Sequence, residues 1–266
     1  MIIDFHTHIF PDSLAPKAIA SLQTTAGLPV VHNGTANSLI ELMAKDGIDK
    51  AVVLNTVTNL KQTDNVNAFA LQTQTTHKNL IPFCSLHPLC DHPEETLKNL
   101  LSQGIKGIKL HPDYVGIEFD DPAFHPILTA ASNLKMPVII HAGFDPVSPN
   151  KIHASPNAIL NVLHNFPNLI LIAAHLGGVN LWDEVIEKLC GENLYFDTAF
   201  CCERIGITVE QGKKIFEKHP IKKILFGSDA PWAEPSEILD FISKIGISDA
   251  ELALVLHKNA EGILGI

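Results

Sequence analysis

The stretch Ile2-Ile3-Asp4-Phe5-His6-Thr7-His8 decides how the whole chain reads. Apolar residues lead into two histidines separated by one residue. On a strand, residues i and i+2 share a face, so the His6 and His8 imidazoles stand side by side at a strand end. Two ring nitrogens presented that way suit one divalent cation. With 14 histidines in the chain, a His-x-His pair also arises by chance. Whether later strands bring further ligands to the same place separates the two readings.

Seven more short apolar runs follow: about 50–57, Leu80–Leu86, Ile105–Leu110, Val138–Ile140, Leu169–Ala174, Leu194–Phe196 and Ile224–Phe226. Each is continuous rather than alternating, as expected of parallel strands covered on both faces. Helical patterns lie between them: Pro93–Leu101, Pro122–Leu134, Ser155–Phe166, Asn180–Cys190, Val209–Lys218 and Glu234–Ile245. A last helix spans Ser248–Leu264, where Ser248 and Glu251 read as a capping box. Eight strands, each followed by a helix, predict a closed (β/α)8 TIM barrel, one α/β domain over residues 1–266 with a C-terminal helix. A doubly wound open sheet is disfavoured because no glycine-rich phosphate loop follows the first strand. Residues 10–38 are less periodic and read as an excursion over the barrel mouth.

Bulk properties narrow the function classes. The chain has 266 residues, 46% hydrophobic, enough for a sizeable core. Its formal net charge of -10 argues against a phosphate-binding face, so no nucleic-acid partner is expected. The five cysteines form no Cys-x-x-Cys pair and fit a reducing compartment. No run approaches the length of a membrane helix and no secretory pattern opens the chain, so a cytoplasmic protein is expected, with a small-molecule substrate and no membrane partner. A homo-oligomer is compatible with this composition.

In such a barrel the active site forms at the C-terminal ends of the strands. Strand one ends in His6 and His8, strand three in His87, and strand four in Lys109-Leu110-His111. Strand five ends in His141, strand six in His175-Leu176-Gly177-Gly178, and strand seven in Asp197. Strand eight runs out through Phe226-Gly227-Ser228-Asp229-Ala230-Pro231-Trp232. One such residue is unremarkable, but their coincidence at four separate strand ends points to a metal site.

Those same residues carry a resemblance. The His-x-His pair, the histidines of strands five and six, and Gly-Ser-Asp-x-Pro on strand eight resemble the amidohydrolase superfamily. Ile-Lys-Leu-His-Pro and Phe-Gly-Ser-Asp-Ala-Pro-Trp resemble its "amidohydrolase 2" branch, which includes aminocarboxymuconate-semialdehyde decarboxylase and related decarboxylases, hydratases and hydrolases. The resemblance implies one divalent ion, zinc the best match, held by His6, His8, His141 and Asp229. It implies that Asp229 also takes a proton from a metal-activated water, and that His175 is the acid/base or polarising histidine. A histidine in that role is expected to have its pKa near the working pH. Lys109, if carboxylated, would bridge to a second ion; otherwise its stem packs in the barrel. His111 reads as a support or substrate contact, and Asp197 as structural or orienting His175.

Arg204, the only arginine, is a candidate grip on a substrate carboxylate, with Trp232, Phe144 and Tyr114 as further pocket candidates beside Phe10 and Phe200. The expected activity is metal-dependent hydrolysis of a small carbonyl- or carboxylate-containing substrate, with metal-dependent non-oxidative decarboxylation or hydration as the alternative. A TatD-like nuclease also begins with His-x-His but has an acidic ligand where this chain has Lys109. A non-catalytic binding module is the remaining reading.

Overall fold

The computed structural model describes residues 1–266. Eight parallel strands form in order: β1 (Ile3–Thr7), β2 (Lys50–Leu54), β3 (Leu80–Phe83), β4 (Ile108–Leu110), β5 (Val138–Ile140), β6 (Leu171–Ala173), β7 (Tyr195–Asp197) and β8 (Ile224–Leu225). They pair as two runs, β1-β2-β3 and β4 through β8. Backbone hydrogen bonds cross both gaps. At one, Cys84 N–H donates to Gly107 O at 2.9 Å and Lys109 N–H to Cys84 O at 2.8 Å. At the other, Phe5 N–H donates to Phe226 O at 2.8 Å and His8 N–H to Ala230 O at 2.7 Å. The ring is thereby closed into the expected TIM barrel.

Alternation sorts the strand side chains into two apolar clusters. The smaller takes Ile3, Phe5, Val52, Leu54, Phe83, Ile139, Ile172 and Leu225, which fill the barrel. Ala260 and Leu264 of the last helix join them. The larger takes the intervening residues, such as Val53, Ile108, Leu110, Val138 and Ile140, together with the inner faces of the helices. Because both faces are buried, the strands read as unbroken apolar runs.

One departure from alternation matters for the site. Ile3 and Phe5 face inward, so His6 and His8, of opposite parity, should face outward. The β1–β2 register shifts between Asp4 and Thr7. Such an irregularity re-aims the residues beyond it. His6 is thereby brought against Lys109, Asp197 and Asp229, whose side chains come from three other strand ends.

The excursion at 10–38 holds a 12-residue helix, Ala15–Ala26, and the start of a second, Ala36–Asp46. Its return arm is tied to the barrel's C-terminal face by Val31 N–H to Pro231 O at 2.8 Å and Phe10 N–H to Gly34 O at 2.8 Å. The final helical region runs Asp249–Ala253, a π turn over Leu254–Lys258, then Asn259–Leu264, opened by the Ser248–Glu251 capping box. No helix is long and apolar enough to cross a membrane. All five cysteines are unpaired thiols.

Candidate metal centre

Two groups of metal-competent side chains sit at the strand ends, each with its donor atoms within 4.8 Å of one another. The first is His6, His8 and Asp229; the second is His111, His141 and Asp145.

In the first group, hydrogen bonding fixes both ring tautomers. His6 Nδ1–H donates to Asp197 Oδ2 at 2.7 Å. His8 Nδ1–H donates to Leu54 O at 2.9 Å. In a neutral imidazole the other nitrogen is then a lone pair. Both Nε2 atoms face the same carboxylate oxygen, Asp229 Oδ1, at 3.3 Å from His6 and 3.1 Å from His8. Burial, with the Lys109 charge next, holds the His6 ring well below the ordinary histidine pKa. With both rings neutral, three lone-pair donors converge. The backing of each ring by a carboxylate or carbonyl is how metal-ligating histidines are held. The donor set fits a divalent ion such as zinc.

The chain accepts backbone strain to build this arrangement. Asp229 and His175 hold φ of 71° and 60°, in the left-handed region that few non-glycine residues occupy. Gly227 lets β8 approach β1, since a Cβ there would lie 2.9 Å from the Cβ of His6. Asp4 clasps the turn from the other side: its Oδ1 accepts Ser228 N–H at 2.9 Å and His6 N–H at 3.1 Å. Burial pushes the Asp4 carboxyl up to about 7 against those bonds.

Asp197 holds the site from below. Besides the His6 ring, it accepts His175 N–H at 2.9 Å and Ala199 N–H at 3.0 Å. It therefore orients the ring of His6 and the backbone of His175, not the His175 ring considered from the sequence. Burial raises its carboxyl to about 7 despite these donors. Lys109 is fully buried, with Nζ 3.4 Å from His6 Nε2. Burial lowers its pKa to about 8, opposed by Asp197, Asp229 and Asp145.

The second group is held differently. His111 Nε2 lies 3.4 Å from Asp145 Oδ2, and His141 Nε2 lies 3.7 Å from the same oxygen. The two rings stack at 4.5 Å, and Tyr114 stacks on His111 at 3.9 Å. His111 Nδ1 is buried without a partner. His141 Nδ1 bonds His175 Nε2 at 3.0 Å, while His175 Nδ1–H donates to Ala199 O at 2.9 Å. Two neutral rings carry two N–H protons, one of them spent on Ala199 O. The other serves either the contact between the rings or the 3.2 Å contact from His141 Nε2 to Phe144 O, not both. A cation or a further proton resolves the contact left over.

His141 thus lies in the neighbouring group, although the sequence places it among the ligands of one ion. His175 touches both groups, through His141 and through its ring 5.3 Å from that of His6. Its pKa is not near neutrality: burial takes it to about 4, against the pull of Asp229, so the ring is neutral. Asp145 escaped the sequence reading. Its signal was a carboxylate four residues past His141, in a loop whose path the sequence does not reveal.

The pocket candidates part company. Arg204 commits its guanidinium to Glu237, with Nε and Nη2 each 3.3 Å from a carboxylate oxygen, and to Trp232 O at 3.1 Å. It is exposed, and all its hydrogen bonds go to Glu237 and Trp232 O rather than to either group. Trp232 N–H donates to Asp229 O at 2.8 Å, so that residue supports the turn carrying Asp229. Tyr114 and Phe144 both touch the second group. His87 caps its own turn through Leu89 N–H at 3.2 Å.

Solved structures share this architecture across essentially the whole chain. A 5-carboxyvanillate decarboxylase from Sphingomonas paucimobilis is 13% identical, with a TM-score of 0.72 over 100% of this chain and 99% of its own. A 2,6-dihydroxybenzoate decarboxylase from Rhizobium is 15% identical, with a TM-score of 0.73 over 99% and 98%. A probable 2-pyrone-4,6-dicarboxylic acid hydrolase from Acinetobacter baumannii is 19% identical, with a TM-score of 0.71 over 100% and 99%. No protein of curated function matches the sequence. The profile described as Amidohydrolase (Amidohydro_2) matches residues 3–266, from the first strand to the last helix. With the barrel, the paired histidines and the strand-eight aspartate all inside that match, this chain belongs to the amidohydrolase family.

Proposed function

We propose that this protein is a metal-dependent hydrolase acting on a small molecule with a carbonyl or carboxylate group. The observation that carries the reading is the convergence of His6 Nε2 and His8 Nε2 on Asp229 Oδ1, at 3.3 and 3.1 Å. His6, His8 and Asp229 would hold the ion, with His141 of the neighbouring group as the proposed fourth ligand. Zinc is the best match to nitrogen ligands with one carboxylate. A bound divalent ion supplies Lewis acidity, which polarises a carbonyl oxygen and lowers the pKa of water to ~7.

The remaining work belongs to the chain. Asp229 accepts the proton of the attacking water at its carboxylate. His175, neutral, accepts or returns a proton at Nε2, where His141 Nδ1 now sits. Asp197 keeps the His6 ring turned so that Nε2 faces inward. Lys109 places a buried cation near developing negative charge. The net charge of -10 and the buried site favour a small molecule over a nucleic acid.

Decarboxylation is the second reading. It is favoured by the two full-length fold neighbours named as decarboxylases. It is disfavoured by Arg204, which is engaged by Glu237 rather than offered to a substrate carboxylate. A panel of small amides, lactones and aromatic carboxylic acids, assayed with zinc-loaded protein, separates the two. Release of a new carboxylate supports hydrolysis; release of CO₂ replaces it with decarboxylation. Absence of zinc from protein expressed with added zinc overturns both.

A further inference from the structure

The group His111, His141 and Asp145 has no role in the reading above, apart from the one ring proposed for the first ion. Its distances are those of a coordination site. Asp145 Oδ2 lies 3.4 Å from His111 Nε2 and 3.7 Å from His141 Nε2. A charge-assisted hydrogen bond would draw nitrogen and oxygen to ~2.7–2.9 Å. Ligand atoms ~2.1 Å from a tetrahedral zinc ion stand instead about 3.4 Å from each other. All three donors lie within 4.8 Å of one another, as they do in the first group.

The carboxylate is held in place by its own loop. Asp145 Oδ1 accepts Val147 N–H at 2.7 Å, and Ser148 N–H donates to Asp145 O at 3.0 Å. That turn spends one carboxylate oxygen and leaves Oδ2 to the rings. Phe144 N–H, one residue earlier, anchors the loop to Val179 O at 3.0 Å. Both rings are buried, while the Asp145 side chain is 13% exposed, so the group meets solvent at its carboxylate. We infer that His111 Nε2, His141 Nε2 and Asp145 Oδ2 form a second site for a divalent transition-metal cation, weaker than the first. Two imidazoles and one carboxylate are ligand types that zinc takes, and three protein ligands leave a position for water. Two features make it the weaker site. His111 Nδ1 is buried without the carbonyl or carboxylate that braces each ring of the first group, an omission worth ~10–100-fold in affinity. His141 is also the proposed fourth ligand of the first ion, the one point at which this site rests on that reading, so an ion here competes for it.

Metal-free protein titrated with zinc at neutral pH, by calorimetry and equilibrium dialysis, tests the assignment, with the histidine rings followed by ¹⁵N NMR. The expected result is two loading steps, the second at least ~10²-fold weaker, with the His111 ring signals moving only in the second. His111→Phe keeps a ring in the stack with Tyr114 and removes the donor; Asp145→Asn removes the charge. Each should weaken the second step by at least ~10-fold and leave the first within about threefold, with melting temperatures confirming that both variants fold. The absence of a second step overturns the proposal. So does a second step that leaves the His111 signals unmoved or persists unchanged in both variants, which is adventitious zinc on surface histidines. A single step that Asp145→Asn removes and Asp229→Ala leaves intact overturns the first-site reading and supports this one.

Discussion

The two groups of histidines and carboxylates use the same chemical alphabet and are built to different standards. In His6, His8 and Asp229, each ring is braced from behind, by Asp197 or by Leu54 O, and each Nε2 is forced toward one oxygen. In His111, His141 and Asp145, one ring has a buried nitrogen with no brace, and the other has one proton for two contacts. The comparison teaches that residue types do not make a ligand set. What holds the far side of each ring does, because it fixes the tautomer and the direction of the lone pair.

The largest effect expected from this difference is on metal content. Asp229→Ala or His6→Ala should reduce zinc affinity by more than ~10²-fold, beyond the effect of losing an outer partner, and abolish turnover. Equilibrium dialysis against zinc reads this directly. Zinc retained in Asp229→Ala would reverse the ranking of the two groups.

Next in size is His175→Ala. It should keep its zinc and lose ~10²–10⁴ in turnover, the range of a general acid–base group. Loss of the metal in that variant would place His175 among the ligands.

The brace itself gives a smaller and more specific effect. Asp197→Asn should weaken zinc binding ~10–100-fold by freeing the His6 ring, whereas Asp145→Asn should leave it within about threefold. Equal effects in the two variants would erase the distinction between the groups.

An effect on stability rather than on metal content sets the pH window in which these comparisons are clean. His219 is buried and bonded to Gly191 N–H and Leu194 O, with no hydrogen bond to either group. Burial lowers its pKa from 6.5 to about 4. A folded pKa below the unfolded one means that the neutral form is favoured by the fold. The stabilisation is complete above pH 6.5 and is lost as pH falls toward 4, up to about 3 kcal/mol. Thermal melts of His219→Gln against wild type should show a shallower loss across that window. Zinc titrations therefore belong above pH 6.5.

Most of the fold was legible because every strand is covered on both faces, which writes it as an unbroken apolar run. The strand-end residues were legible for the same reason: His141, His175 and Asp229 interrupt such runs at their ends. The register shift in β1 was not, because Ile3 and Phe5 sit in the barrel with the same period that would have turned His6 outward. The helix Ala15–Ala26 was missed because it buries only Ala15 and Ile19, too little to write a periodic face. Asp145 was missed because it rides on a loop, whose path is set by distant contacts such as Phe144 N–H to Val179 O. Arg204 was misleading because the sequence cannot show that Glu237 stands opposite it.

His8 and Asp229 are 221 residues apart in the chain and meet where the first strand joins the eighth. An ion lodged between them is a rivet across the last gap to close. During synthesis it would have no seat until Asp229 had emerged, 221 residues after His8, and joining such distant segments is among the slower steps a chain can take. Chelation should therefore loosen the N-terminal strand first, and a protease given access to that seam would report the empty state before any assay of activity could.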